Sequence, residues 1–131
     1  MTSILNADLH CHSVVSDGTL TPEALAERAK AHGVDLWALT DHDEIGGVQR
    51  AAAAARVIGL HYLTGVEISV SFLGQTIHIV GLGFDPNNAT LQTGLVRTRG
   101  GRGQRAKDMS DSLAKIGIHG AYEGALKFAG N

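Results

Sequence analysis

The sequence holds one cysteine in 131 residues. A single thiol cannot close an internal disulfide, which fits a reducing compartment and leads to the expectation of a cytoplasmic protein. Nowhere do apolar residues run for the roughly 18 positions that a bilayer-crossing helix needs, so no membrane partner is expected. The opening residues Met1-Thr2-Ser3-Ile4 lack the basic and apolar regions of a signal peptide. There is no excess of positive charge. The net charge is −2 and the pI about 6.4, which argues against duplex nucleic acid or an anionic membrane surface as a partner. Internal repeats and low-complexity linkers are missing too; the alanine run at 51–55 reads as helix.

What is present is a globular composition, 44% apolar and 18% charged, in a length that suits one modest domain with one core. Seven histidines and seventeen glycines are many for this length, and the glycines gather at element ends.

The patterning predicts a first strand over residues 4–12, then a loop through residue 20 with Asp17-Gly18 as a turn signal. A helix follows, with Thr21 as N-cap, Pro22 at its first position, Glu23 in its first turn and Gly33 as its stop. Residues 34–40 are apolar throughout, as in a strand covered on both faces. A second helix is expected at about 47–58, ended by Gly59. Strands are expected at 61–71 and 75–84, with a tight turn at Gly74. Residues 91–115 read as helix interrupted at Gly100-Gly101-Arg102-Gly103, and residues 121–129 as a last short helix. The order β-α-β-α-β-β points to a largely parallel α/β layer.

The chemistry gathers before residue 80. In a strand, side chains alternate between faces, so Asp8, His10 and His12 would share one face and Cys11 the other. His12 and Asp17 follow the first strand, Asp41 and His42 the second; Glu67 lies on the third and His78 on the fourth. Active sites of α/β folds collect at the carboxyl ends of parallel strands, so four neighbouring strands would each deliver an imidazole or a carboxylate. Imidazole with carboxylate, without thiolate, suits Zn²⁺, Mn²⁺ or Fe²⁺. A carboxylate such as Glu67 can bridge two ions, and ions about 3.5–4 Å apart can bind a phosphate and generate hydroxide at neutral pH. His32, His61 and His119 are read as structural or solvent-facing.

Asp-Leu-His-Cys-His at 8–12, Ser-Asp-Gly at 16–18, Thr-Asp-His-Asp at 40–43, Gly-Val-Glu at 65–67 and His78 within Ile-His-Ile-Val-Gly together resemble the polymerase and histidinol phosphatase (PHP) family. The wording Ser-Asp-Gly-Thr-Leu-Thr-Pro-Glu is similar to a branch of small bacterial phosphoesterases acting on nucleoside 3′,5′-bisphosphates or on short oligonucleotides from the 5′ end. The resemblance implies an α/β fold, the N-terminal part of a distorted seven-stranded (βα) barrel over residues 1–84, and the start of a helical insert over 85–131. The rest of the barrel would lie outside this sequence, as the chain would be a fragment of a longer enzyme; a natural half-length protein that binds metal without turnover is the other option.

The same resemblance assigns roles. His10 and His12 would hold a first metal, Glu67 would bridge it to a second held with His78, and Asp17 and His42 would hold a third. Glu67, His42 and Asp17 would carry the catalysis, and Asp8 and Asp41 would orient the ligands. Arg97, Arg99, Arg102 and Arg105 could clamp a substrate phosphate, or could simply form a solvated helix face. The implied activity is hydrolysis of a phosphate monoester or 5′-end phosphodiester of a nucleotide or short oligonucleotide, by attack of a metal-bridging hydroxide. The alternatives are a histidinol-phosphate-type phosphatase and a non-catalytic metal-binding module. The C-terminal remainder of the barrel, or a second copy, would cover the open side.

Overall fold

A computed structural model describes residues 5–129. Its elements in chain order are β1 (Ala7–Asp8), α1 (Pro22–Ala31), β2 (Leu36–Leu39), α2 (Val48–Val57), β3 (His61–Phe72), β4 (Gln75–Leu82), α3 (Ala89–Ala114) and α4 (Ala121–Leu126). The strands form one sheet in the order β1-β2-β3-β4. β1, β2 and β3 run parallel, and β4 returns antiparallel along β3.

Local chemistry accounts for most boundaries. The Thr21 side chain accepts a hydrogen bond from Ala24 N at 3.2 Å, with Pro22 just inside the helix; such a cap is worth about 1 kcal/mol. Gly33 and Gly59 follow α1 and α2 with positive φ, the left-handed stop that an L side chain resists. Helices and sheet approach closely because the facing residues are small: Ala26, Ala51 and Ala55 are fully buried against Trp37 and Leu39. Trp37 is the largest buried side chain, and its truncation to alanine would cost about 3–5 kcal/mol.

Several expected boundaries differ, two of them with consequences for the site. The first strand, expected at 4–12, is confined to Ala7–Asp8 within the described residues; Ile4 lies outside them. Among the described residues, only Ala7 and Asp8 pair with β2, in register with Leu36 and Trp37. The chain then leaves the ladder and returns at Cys11, whose carbonyl accepts from Thr40 N at 2.9 Å. Cys11 nonetheless turns away from the histidines, with its Sγ accepting from Trp37 Nε1 at 3.2 Å. The second difference is α3, which runs unbroken through Gly100, Gly101 and Gly103. Each interior glycine costs a helix about 1 kcal/mol relative to alanine. Tertiary anchors offset this, because Arg99 and Arg102 tie the glycine-rich turns to the loop after β2.

The last helix is also shorter than expected, ending at Leu126. Among the described residues, no helix is long and apolar enough to cross a membrane.

Candidate metal centre

The site is built where the parallel strands end. Beyond β2 the chain stays beside β3: Glu67 N donates to Asp41 O at 3.1 Å and Asp43 N donates to Glu67 O at 2.8 Å. This pair of bonds clamps His42 next to Glu67. On the other side, Ser69 is paired with His78 and Glu67 with Val80 across the β3–β4 ladder. His78 is therefore a diagonal neighbour of Glu67, within reach of its side chain.

Glu67 stands at the centre. Its Oε2 lies 2.7 Å from His10 Nε2, 2.7 Å from His12 Nε2 and 3.9 Å from His42 Nδ1, while its Oε1 lies 3.2 Å from His78 Nδ1. Asp17 forms a second corner, 2.7 Å from His12 Nδ1 and 3.6 Å from His42 Nε2. Three donor sets result: His10, His12 and Glu67; His12, Asp17 and His42; and His42, Glu67 and His78. His12, His42 and Glu67 each belong to two of them. His32 instead caps α1, its Nδ1 at 2.8 Å from Arg28 O, and His61 and His119 stay exposed.

The donors suit a divalent cation. Two buried ring nitrogens, His12 Nε2 and His42 Nδ1, have no hydrogen-bond partner. An orphaned buried donor or acceptor is costly, and these two point into the ring of carboxylate oxygens. Burial raises the Glu67 carboxyl, but the His10 hydrogen bond and the His42 and His10 charges outweigh it and hold the group below its ordinary range. For Asp17, likewise, the upward push of burial is overcome by the His12 hydrogen bond and the His12 and His42 charges. Both carboxylates are thus anionic at neutral pH, the form that binds metal.

Among the described residues, neither Asp41 nor Asp8 is hydrogen-bonded to an imidazole. Asp41 is buried and accepts from Ser13 N at 2.7 Å, Ser13 Oγ at 2.7 Å and Ser16 Oγ at 2.6 Å, so it holds the loop that carries His12 and Asp17. The Asp8 carboxylate is 3.5 Å from His10 N. Gly18 closes the same loop: a Cβ there would lie 2.1 Å from His12 O.

The four arginines divide. Arg102 and Arg105 line an open hollow of about 430 Å³ together with His42 and His78. Arg99 is engaged elsewhere, 3.0 Å from Glu44 Oε2 and donating to Asp43 O. Arg97 lies apart from the histidines, in a groove with Ala89, Thr90 and Thr93; on a 3.6-residue period it cannot share one face with all three others. The sequence reading left Asp43, Ser13 and Ser16 without roles, although all three stand inside or beside the motifs that drew attention to their neighbours.

Residues 8–117 match the PHP domain family model. The chain belongs to the PHP domain family. It is 50% identical over 126 residues to a 3′,5′-nucleoside bisphosphate phosphatase of Chromobacterium violaceum, an alignment covering 96% of this chain and 44% of that protein. It is 47% identical over 122 residues to a 5′-3′ exoribonuclease of Haemophilus influenzae, covering 93% of this chain and 44% of that protein. A solved structure of an amidohydrolase from Chromobacterium violaceum, with bound sulfate and no metal, superposes with a TM-score of 0.86 at 50% identity, over 96% of this chain and 44% of that one. The chain therefore spans less than half the length of these relatives, and its sheet corresponds to the N-terminal part of the PHP barrel.

Proposed function

We propose that these residues form the metal-binding part of a phosphoesterase that hydrolyses a phosphate monoester or a 5′-end phosphodiester of a nucleotide or short oligonucleotide, a nucleoside 3′,5′-bisphosphate being a fitting substrate. The observation that carries this reading is Glu67 at the centre of four imidazoles, beside a hollow lined by two arginines. The activities named for the two curated relatives support the substrate class.

His10, His12, Asp17, His42, Glu67 and His78 would hold up to three divalent ions, Mn²⁺, Zn²⁺ or Fe²⁺. Such ions supply Lewis acidity toward phosphoryl oxygens and acidify water to near neutral pH. Glu67, His42 and Asp17 would carry the catalysis; supporting this, His42 stands between the two carboxylates, its Nδ1 3.9 Å from Glu67 Oε2 and its Nε2 3.6 Å from Asp17 Oδ2. Arg105, and Arg102 through the guanidinium nitrogens not bound to Asp43, would hold a second phosphate through charge-assisted hydrogen bonds; Arg99, engaged by both Glu44 and the Asp43 carbonyl, is the weaker partner. Asp41 and Asp8 act on the backbone that carries the ligands.

Residues 1–84 would form the barrel portion and 85–131 an insert that roofs the hollow. β4 exposes Ile77, Ile79, Val80 and Leu82, and an uncovered apolar edge strand invites pairing. Further barrel strands, or a second copy, would cover it. The single thiol supports a cytoplasmic setting.

The test is phosphate release by the full natural protein that contains these residues, with Mn²⁺, from adenosine 3′,5′-bisphosphate, a short 5′-phosphorylated oligonucleotide and histidinol phosphate; residues 1–131 without the rest of the barrel are expected to be inactive. Release from either of the first two is expected. Preference for histidinol phosphate, or no release from any of the three, would overturn the reading.

A further inference from the structure

Asp43 is fully buried, sits one residue after His42, and has a left-handed backbone with φ 51°. Asp visits that conformation more readily than most L residues, but when buried it persists only where surroundings hold it. Here every polar group of the residue is engaged. Its N–H donates to Glu67 O at 2.8 Å, and its carbonyl accepts from Arg99 Nη1. Its Oδ1 accepts from Ser69 N at 2.7 Å and its Oδ2 from Arg102 Nη2. One side chain thus joins the exit of β2, the middle of β3 and helix α3.

We propose that Asp43 is a positioning residue through which helix α3 holds the His42 imidazole toward Glu67 and Asp17. A buried carboxylate needs compensation, and Arg102 is the only cation on it among the described contacts. Without Arg102 the buried carboxylate loses its charge partner and must turn toward water. That turn relaxes the left-handed backbone and rotates the peptide that follows His42. The imidazole has no hydrogen bond of its own at Nδ1 to resist this. Helix α3 is otherwise lightly packed, with Leu95 its one buried residue, so the Asp43 contacts are its main tie to the strand ends.

The inference rests on the metal-centre reading for its consequence but not for its geometry, and the experiment separates the two. In the full natural chain, histidine ring signals are followed by NMR without metal for Asp43→Asn, Arg102→Gln, Arg102→Lys and the double variant Asp43→Asn with Arg102→Gln. The His42 ring signals are expected to shift or broaden in Asp43→Asn and Arg102→Gln while those of His32 stay in place, and Arg102→Lys is expected to restore them in part. Co²⁺ affinity, read from its visible absorption, is expected to fall about 10-fold in each single variant. The double variant should fall little further, because the two residues act as one unit. A lower thermal midpoint with an unmoved His42 ring would reduce Asp43 to a structural role and overturn the proposal. Additive losses in the double variant would likewise overturn action through Arg102. Failure of the unaltered protein to bind Co²⁺ would overturn the metal-centre reading, while the His42 ring signals would still decide the positioning role.

Discussion

His12 Nε2 lies 2.7 Å from Glu67 Oε2 without forming a hydrogen bond to it. His10 Nε2 approaches the same oxygen, also at 2.7 Å, and is hydrogen-bonded to it. Two imidazoles aimed at one carboxylate oxygen, with a third at 3.9 Å, is a geometry suited to sharing a cation.

Glu67→Gln should therefore damage two donor sets at once. Mn²⁺ affinity by calorimetry and phosphate release are both expected to fall by about 10²-fold or more, beyond the roughly 10–100-fold that outer contacts cost. His32→Gln, on the far end of α1, should leave both unchanged. Equal behaviour of the two variants would remove Glu67 from the centre.

Gly18→Ala should disturb the site without touching a donor atom. The added Cβ would meet His12 O at 2.1 Å and Ser13 N at 2.8 Å, all backbone, so the loop carrying His12 and Asp17 must move. An overpacking cost of about 1–3 kcal/mol is expected, seen as a lower thermal midpoint together with weaker Mn²⁺ binding. An unchanged midpoint would contradict the close approach.

The pair Arg50–Glu23 joins α2 to α1 through two parallel hydrogen bonds of 2.8 Å. The Arg50 hydrogen bond holds the Glu23 carboxyl down, to about 2 from 4.5. A carboxyl whose folded value is depressed stabilises the fold above its unfolded value and loses that contribution as pH falls through the folded one. Both partners are well exposed, so solvent screening keeps the contribution small. The thermal midpoint of Glu23→Gln should fall below that of the unaltered protein at pH 6, and the gap should close between pH 4.5 and about 2. A gap that persists at the acid end would assign the effect to packing.

Cys11 should resist alkylation. Burial raises its thiol to about 11 from 9.0, against a lowering by the Trp37 N–H, so near pH 7.5 the thiolate is roughly 100-fold scarcer than for a free thiol, and the thiolate is the reactive form. Iodoacetamide labelling should be slow in buffer and rapid in urea. Equal rates in the two conditions would place the thiol at the surface.

The order of elements, the caps at Thr21, Gly33 and Gly59, and the four histidines and two carboxylates of the centre were legible in the sequence, because each is written in local spacing: strand runs, a capping residue, a glycine stop, short motifs at strand ends. Tertiary structure decided the rest. Among the described residues, pairing with β2 reaches only Ala7 and Asp8, so strand alternation does not place His10 and His12; the loop held by Asp41 and Gly18 carries His12. The glycines of α3 predicted a break, yet contacts from Arg99 and Arg102 to residues more than fifty positions earlier hold the helix continuous. The sequence contains Asp43 within a recognisable motif, but its role arises from three elements meeting at one buried carboxylate, and no periodicity along a chain records a meeting of that kind.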